Sequence, residues 1–242
     1  GDLGQKATGE TDEDGKLTVP EVTELETHGA YVVGYTDGTF GPDRDMTRSE
    51  AATIFARLLA QRNGDRITAP TKTTFPDVPI NAWYAGYVSY LARYGIAVGY
   101  TDGLFHGDEP ITRAEFTAMA VRFFDAYGDG DPAIMEEYSG FWDVSPGHWA
   151  AGYIEDAARY GWVVGYGDGT FHADDEITRA EVVTIVNRLL GREADQEYIA
   201  DHPRGLVVFP DVSKGYWAYY DILEAANHHE ADVSADPEVW QK

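Results

Sequence analysis

The sequence predicts a mainly all-α protein in which three copies of one helix-loop-helix module close into a pseudo-threefold ring. Three observations predict this class. A Gly-Tyr-x-Asp-Gly-x-Phe segment occurs three times, a Thr-Arg-x-Glu segment follows each copy at a fixed distance, and a Phe-x-Asp-Val segment also occurs three times. Self-similarity at a period of tens of residues is typical of architectures assembled from repeated modules.

The spacing inside the repeats is constant. The first glycine of each Gly-Tyr segment precedes a motif arginine by the same interval in every copy, in the pairs Gly34 and Arg48, Gly99 and Arg113, and Gly165 and Arg179. The phenylalanine of each Phe-x-Asp-Val segment precedes a tryptophan by a second constant interval, in the pairs Phe75 and Trp83, Phe141 and Trp149, and Phe209 and Trp217. Chance does not produce such regularity.

The order of the segments indicates how the ring closes. The chain begins with the second half of a module and ends with a first half. We therefore expect residues 29–74 to form a second half that residues 209–230 complete, with whole modules at 75–140 and 141–208. Residues 209–242 then hold the last first half and a tail. Residues 1–28, which are acidic and rich in Gly and Thr, are predicted to be flexible.

Each Thr-Arg-x-Glu segment predicts the start of a helix. The threonine hydroxyl can accept from the amide of the third helical residue, and the glutamate there can reach back to the amide of the cap, which is a capping box. The predicted capping pairs are Thr47 with Glu50, Thr112 with Glu115, and Thr178 with Glu181. The apolar spacing that follows each box is that of an amphipathic helix, so we expect a central three-helix bundle.

The motif arginines are the leading candidates for ligand binding. Arg48, Arg113 and Arg179 fall on the first helical residue, where unpaired amides and the helix dipole attract anions. A guanidinium added there predicts a site for a carboxylate or phosphate. The alternative is that each arginine pairs with a nearby aspartate and only stabilises its module.

The turns and tryptophans leave alternatives open. The Asp-Gly pairs at 37–38, 102–103 and 168–169 predict tight turns, and their amides could also face a ligand. Their aspartates are the partners that a structural role would give to the arginines. Trp83, Trp149 and Trp217 are either core anchors or platforms on which a sugar stacks. The candidate ligand-binding residues of the turns are Asp37, Gly38, Asp102, Gly103, Asp168 and Gly169.

Composition restricts the partners. A formal net charge of -24 argues against nucleic acid and anionic membranes, and no apolar run is long enough to span a bilayer. The absence of cysteine excludes disulfides and thiolate chemistry. We expect no metal site and no cofactor. Calcium is the one weak candidate, at Asp43 with Asp45 and at Asp129 with Asp131, and the adjacent histidines His228 and His229 are a poor metal pair because neighbouring side chains diverge.

These residues resemble the surface-layer homology (SLH) domain family of bacteria. Phe-x-Asp-Val, the tryptophan at its fixed interval, Gly-Tyr-x-Asp-Gly-x-Phe and Thr-Arg-Ala-Glu carry the resemblance over about residues 30–230, with Thr-Arg-Ser-Glu in the first copy. The family implies a three-pronged spindle that binds a secondary cell-wall polysaccharide, often ending in pyruvylated N-acetylmannosamine, in grooves between repeats. It assigns that role to the three motif arginines, the Asp-Gly turns and the three tryptophans.

Three functions remain to be separated. The first is non-covalent attachment of a surface protein to the cell wall, outside the cell, by binding that polysaccharide. The second is assembly with other surface-layer subunits. The third is an enzyme acting on wall glycans, which we do not expect because the sequence lacks Gly-x-Ser-x-Gly, His-Glu-x-x-His and a phosphate loop. An exported protein needs a signal, and none opens this chain, so we expect a longer precursor.

Overall fold

The computed structural model describes residues 23–128, 130, 132–134 and 137–241. It is mainly helical, which confirms the predicted class. The elements are β1 (Leu25–His28), α1 (Arg48–Asn63), α2 (Ala85–Arg93), α3 (Arg113–Tyr127), α4 (Ala151–Arg159), α5 (Arg179–Leu190), α6 (Gln196–Asp201), α7 (Tyr219–Ala226), β2 (His229–Asp232) and β3 (Val239–Gln241). Of the helices described, none has the length and apolar character needed to cross a bilayer.

The long helices α1, α3 and α5 begin at the three Thr-Arg-x-Glu segments. Each has a complete capping box, in which the threonine accepts from the glutamate amide and the glutamate accepts from the threonine amide. Each ends at a glycine in the left-handed conformation, at Gly64, Gly128 and Gly191. Glycine adopts that conformation without a steric penalty, so the sequence sets both ends of each long helix.

The core lies along α3, which packs against both α1 and α5. The ring of Phe55 on α1 lies 5.4 Å from the ring of Phe116 and 4.8 Å from that of Phe123, both on α3. All three side chains are fully buried. A short helix packs against each long one, α2 on α1, α4 on α3 and α7 on α5. The predicted helix-loop-helix unit therefore occurs three times.

A closed triangle of backbone hydrogen bonds joins the three repeats just before their long helices. The amide of Met46 donates to the carbonyl of Ile177, that of Ile177 donates to Ile111, and that of Ile111 donates to Met46, at 2.9, 3.0 and 2.8 Å. Each bond connects one repeat to another, and the third returns to the first. The contacts run in the cyclic order that the pseudo-threefold prediction requires, while the full spindle symmetry stays a prediction.

The first and last half modules meet, as their order in the sequence predicts. The carboxylate of Asp211 accepts from the amides of Phe40 and Gly41 at 2.9 and 2.8 Å. The amide of Tyr31 donates to the carbonyl of Ala225 at 3.0 Å. Within the whole modules, Asp77 and Asp143 hold their loops by accepting from the two equivalent amides, those of residues 105–106 and 171–172. The contact between the two distant half modules thus repeats the contact found within each whole module.

A small sheet lies beside this junction and places residues 25–28, part of the segment predicted to be flexible, in a strand. Strand β1 pairs antiparallel with β2, with His28 opposite His229, and β2 pairs antiparallel with β3. Residues 25–28 are therefore ordered by the C-terminal tail, which the sequence pattern of so short a segment could not reveal. Residues 1–22, which carry the rest of that prediction, lie outside the described residues.

Candidate functional site

Three grooves of equivalent composition lie between neighbouring repeats. Each is lined by a motif arginine, the Gly-Tyr loop and capping glutamate of the next repeat, a second arginine, and a tryptophan. The Arg48 groove contains Arg48, Tyr100, Glu115, Arg122 and Trp149. The Arg113 groove contains Arg113, Tyr166, Glu181, Arg188 and Trp217. The Arg179 groove contains Arg179, Tyr35, Glu50, Arg57 and Trp83.

The motif arginines are buried and bound to the next repeat. Nε of Arg48 donates to the carbonyl of Phe105 at 2.8 Å, and Nη2 donates to that of Val98 at 3.1 Å. The equivalent Nε bonds run from Arg113 to Phe171 and from Arg179 to Phe40, at 2.8 and 2.9 Å. Only 5–6% of each arginine is exposed. Each arginine therefore joins two repeats as well as lining a groove.

The amides at the helix starts are not open to a ligand, contrary to the sequence-based expectation. The amide of Arg48 donates to the carbonyl of Glu109, and that of Ser49 donates to Gly107. The next amide, of Glu50, donates to the threonine of the capping box. The starts of α3 and α5 are closed by equivalent carbonyls of the following repeat. Positive charge for an anion must therefore come from the guanidinium groups.

The Asp-Gly turns do not pair with the motif arginines, so the aspartate partner expected for a structural role is wrong, while the structural role itself stays open. Asp37 accepts from the amide and hydroxyl of Thr39, at 2.9 and 2.7 Å. These two bonds lower the pKa of Asp37, the hydroxyl having the larger effect. Asp168 accepts the same pair from Thr170, and Asp102 accepts from the amide of Leu104.

The Asp-Gly turns also lie apart from the grooves. Within the described part of the chain, their residues are outside the lining of all three. The glycines Gly38, Gly103 and Gly169 have φ near 80°, which favours glycine. The turns therefore shape the Gly-Tyr loops, and direct ligand contact by their six candidate residues stays a prediction.

The carboxylate that faces the motif arginine is the capping glutamate of the next repeat. Nη1 of Arg113 lies 2.8 Å from Oε1 of Glu181. In the Arg48 groove the corresponding distance, from Nη1 to Oε2 of Glu115, is 3.7 Å. There the other oxygen of Glu115 accepts from the Tyr100 hydroxyl at 2.6 Å. Glu115 and Glu181 thus each cap a helix and neutralise part of a groove, a second role that the sequence did not indicate.

The three tryptophans are surface residues, so the core-anchor interpretation is wrong. Trp83, Trp149 and Trp217 are 60%, 56% and 61% exposed, and each lines one groove. The neighbouring aromatic Tyr84 is buried in the first copy instead. An indole left in water at the mouth of a polar groove provides an apolar face that a sugar ring can cover.

A second arginine in each groove was missed by the sequence analysis. Arg57, Arg122 and Arg188 follow the motif arginine of their own helix at the same interval in all three copies. That constant spacing in a chain with 18 Lys and Arg residues is a signal that could have found them. Arg122 donates from Nε to the hydroxyl of Tyr153 at 3.3 Å. Each groove therefore has two guanidinium groups and one lining glutamate.

The grooves are not identical. The Arg48 groove has a volume of about 470 Å³, against about 200 Å³ for each of the others. One helical turn after the tryptophan stand Tyr87, Tyr153 and, beside the Arg113 groove, Asp221. Asp221 accepts from the Thr184 hydroxyl, which lines that groove, at 3.0 Å. This substitution places an additional carboxylate near the Arg113 groove.

The structure adds no support for the two aspartate pairs that were weak calcium candidates. Asp43 accepts a hydrogen bond from the Tyr216 hydroxyl at 2.7 Å, and Asp45 lies in a bridge with Thr178. Asp129 and Asp131 lie outside the described residues. Calcium binding by these pairs stays a prediction that nothing in the geometry tests.

Comparison with known proteins gives a consistent result. The model of the S-layer homology domain matches residues 11–52, 74–117 and 140–183. Two similar proteins from Acetivibrio thermocellus are a "Cell surface glycoprotein 1", 34% identical over 89% of this chain and 9% of that protein, and a "Cellulosome-anchoring protein", 34% identical over 87% of this chain and 45% of that protein. An "Amylopullulanase" of Thermoanaerobacterium thermosulfurigenes is 28% identical over 72% of this chain and 9% of that protein. The chain spans less than half the length of each of these relatives.

Proposed function

Because the chain belongs to the S-layer homology domain family, we propose that it attaches a surface protein non-covalently to a bacterial cell wall. The names of the two Acetivibrio relatives, a cell surface glycoprotein and a cellulosome-anchoring protein, support a location outside the cell and an anchoring role. We propose further that the ligand is a secondary cell-wall polysaccharide that carries a carboxylate, with pyruvylated N-acetylmannosamine as the specific candidate.

One observation carries the proposal of an anionic sugar. Each groove brings two arginines and an exposed tryptophan together, in a chain whose formal net charge is -24. A guanidinium binds a carboxylate through two parallel hydrogen bonds, and an indole stacks on the apolar face of a sugar ring. A sugar with an attached carboxylate is the ligand class that uses both contacts at once.

We propose that the chain itself is not an enzyme. Relatives named as enzymes include the amylopullulanase and a "cell wall amidase" of Bacillus anthracis, which is 30% identical over 67% of this chain and 29% of that protein. The matched part is a minor share of both. A minor segment that is shared by longer proteins with different names is expected of a binding module rather than of a catalytic domain.

The test is binding to purified cell walls before and after chemical removal of the attached polysaccharide. We expect binding to disappear with the polymer and to be competed by a pyruvylated N-acetylmannosamine glycoside. Binding that survives removal of the polymer would contradict the proposal and would favour assembly with protein subunits. Release of sugars from wall fragments would instead indicate an enzyme.

Variants of the solvent-accessible groove arginines make the test specific. The triple substitution of Arg57, Arg122 and Arg188 by Gln is expected to weaken wall binding at least tenfold without unfolding the chain. The matched control replaces Arg66, Arg159 and Arg204 by Gln, since these arginines are exposed and lie outside the three grooves. Equal losses in both triple variants would show that only overall charge matters.

A further inference from the structure

Four buried polar side chains meet where the first and last half modules come together, away from the three grooves. His28 ends β1, Glu224 lies on α7, His229 begins β2, and Glu238 immediately precedes β3. Their exposed fractions are 4%, 0%, 7% and 7%. We call these four residues the closure cluster. Two buried carboxyl groups and two buried imidazoles need hydrogen bonds or a counter-charge, which apolar side chains cannot supply.

The atoms of the closure cluster face one another. Nδ1 of His28 lies 3.5 Å from Oε1 of Glu224 and 3.4 Å from Oε1 of Glu238. Nε2 of His229 lies 3.4 Å from Oε2 of Glu224 and 3.8 Å from Oε1 of Glu238. One ligand atom from each residue falls within 4.8 Å of every other. A tetrahedral ion with bonds of about 2.0–2.2 Å holds its ligands about 3.3–3.6 Å apart, which is close to these distances.

The same atoms lack hydrogen bonds. Nδ1 of His28, both carboxylate oxygens of Glu224, Nε2 of His229 and Oε1 of Glu238 have no hydrogen-bond partner among the described residues. Leaving one buried polar atom unpaired costs about 1–3 kcal/mol, and here five converge on one point. A cation at that point would satisfy all four side chains, and a divalent one would balance two carboxylates.

The outer contacts of the histidines fix their orientation. Nδ1 of His229 lies 3.1 Å from the carbonyl of Asn227, and its ring stacks on Trp240 with centroids 3.8 Å apart. A proton on Nδ1 would donate to that carbonyl and leave Nε2 bare toward the cluster. Nε2 of His28 faces the Glu26 carboxylate at 3.7 Å, which leaves its Nδ1 inward. Metal-binding histidines are oriented by such outer contacts with carbonyls and carboxylates.

We propose that His28, Glu224, His229 and Glu238 bind one divalent transition-metal ion, with Zn²⁺ the best match. Two imidazoles and two carboxylates in a closed four-coordinate arrangement suit zinc in a structural role. Calcium requires six to eight oxygen ligands and is a poor fit. Because His28 comes from β1 and the other three from residues 224–238, the ion would tie the first half module to the last.

The sequence predicted no metal site because adjacent histidines diverge, and that reasoning considered only His228 and His229. His228 and His229 do diverge, since His228 is exposed and His229 is buried. The partner of His229 is instead His28, opposite it in the β1–β2 pairing. Residues 28, 224, 229 and 238 are too scattered along the chain to form a recognisable metal-binding motif in the sequence.

Protons are the competing occupant of the closure cluster. Burial opposes a charge on His28, but the carboxylates of Glu224 and Glu238 outweigh it and raise the pKa of His28 to about 9. A protonated His28 paired with carboxylates is the arrangement that would exist without a metal. Direct metal measurements on the full chain separate the two.

The experiment strips the purified full chain with a strong chelator and returns Zn²⁺. We expect one zinc per chain by elemental analysis after gel filtration. We also expect a rise in Tm of about 5–10 °C at a hundredfold excess of free zinc over Kd. Cobalt in place of zinc should give the intense visible absorption bands of a tetrahedral site. Absence of retained zinc together with an unchanged Tm would overturn the proposal in favour of the proton-linked pair.

Three variants complete the test. Glu238→Gln keeps the side-chain volume and should weaken zinc binding at least a hundredfold, and His229→Ala should abolish it. His228→Ala is the matched control and should retain full zinc binding. Retention of zinc by His229→Ala, or an equal loss in His228→Ala, would place the ion elsewhere and contradict the proposal. None of these outcomes depends on the polysaccharide, so the site and the anchoring function are tested separately.

Discussion

The Arg48 and Arg113 grooves are made from the same motif, and they differ in the charge available to a ligand. In the Arg113 groove the guanidinium pairs with Glu181 at 2.8 Å. A further carboxylate, that of Asp221, lies near this groove and accepts a hydrogen bond from the lining residue Thr184. In the Arg48 groove the ion pair is 3.7 Å long, and the volume is about 470 Å³ rather than about 200 Å³. Repeated motifs therefore produce grooves that differ in charge and volume, and Asp221, which lies outside the motif, contributes to the difference.

The largest expected effect is on stability. Arg113→Ala should lower the free energy of unfolding by about 3–4 kcal/mol, because it leaves the buried carbonyl of Phe171 without a donor and Glu181 without its guanidinium partner. Arg48→Ala should cost about 2 kcal/mol, since its ion pair is longer. Urea denaturation followed by circular dichroism measures both. Arg159→Ala, at a surface pair with Glu155, is the control and should change stability by less than about 0.5 kcal/mol. A smaller loss for Arg113→Ala than for Arg48→Ala would reverse the comparison.

The next effect is on affinity. Trp149→Ala should abolish binding at the tighter site and Trp217→Ala at the weaker one, with affinities of the two grooves that differ about tenfold. The Arg113 groove is the weaker site, because a nearby carboxylate repels an anion by about 1–2 kcal/mol at an effective dielectric constant of about 20. Calorimetric titration of each variant with a pyruvylated N-acetylmannosamine glycoside measures it. Indistinguishable titrations would mean that Asp221 and the Glu181 ion pair do not influence the ligand.

A charge-removing substitution tests the cause directly. Asp221→Asn should raise the affinity of the Arg113 groove about fivefold, since it removes one nearby charge and keeps a side-chain oxygen for Thr184. The same titration in a background that carries both Trp83→Ala and Trp149→Ala isolates that groove, because these changes remove the tryptophans of the other two. Asp156→Asn serves as a control, because Asp156 is a carboxylate on α4 outside the lining of the three grooves. An unchanged affinity would assign the difference to groove volume.

The smallest effect is a dependence on pH that the two grooves should share. Burial opposes the charge of Asp77 and Asp143, but hydrogen bonds from two loop amides outweigh it and lower the pKa of both carboxyl groups. A lowered pKa in the folded state gives stability that is present above the ordinary value of 3.8 and is lost as pH falls below it. Thermal unfolding from about pH 6 to about pH 3 should show a loss that Asp77→Asn reduces. An identical pH profile in that variant would contradict the assignment.

The sequence predicted the parts of the fold that local chemistry determines. Thr47 with Glu50, and the equivalent pairs, mark the starts of the three long helices, and the order of the half modules indicates the meeting of residues 209–230 with the N-terminal half. Sheet β1–β2–β3 could not be foreseen, because the short segment that begins at Leu25 gains its conformation only by pairing with the distant His229–Asp232.

The candidate site was predicted in composition but not in arrangement. The motif arginines and tryptophans do line the grooves, yet the helix amides are taken by carbonyls of another repeat, such as that of Glu109 for Arg48. The counter-ion of Arg113 is a capping residue of another repeat, Glu181. Both facts depend on which repeat follows which in space, and a single repeat does not specify that. The second arginines, Arg57, Arg122 and Arg188, could have been identified from the sequence, since their spacing is as regular as that of the motif arginines.

The joining of Asp211 to Phe40 and Gly41 has a consequence for timing. Two grooves are built from neighbouring stretches of chain, whereas the Arg179 groove uses residues 31–35, whose loop is held by an aspartate near the other end of the chain. Contacts of such separation form late, because a long loop must close first. If the three grooves bind the wall polymer as proposed, a newly made or refolding chain is therefore bivalent before it is trivalent. Since avidity rises steeply with each linked site, its grip on a polymer should strengthen in a final, separate step.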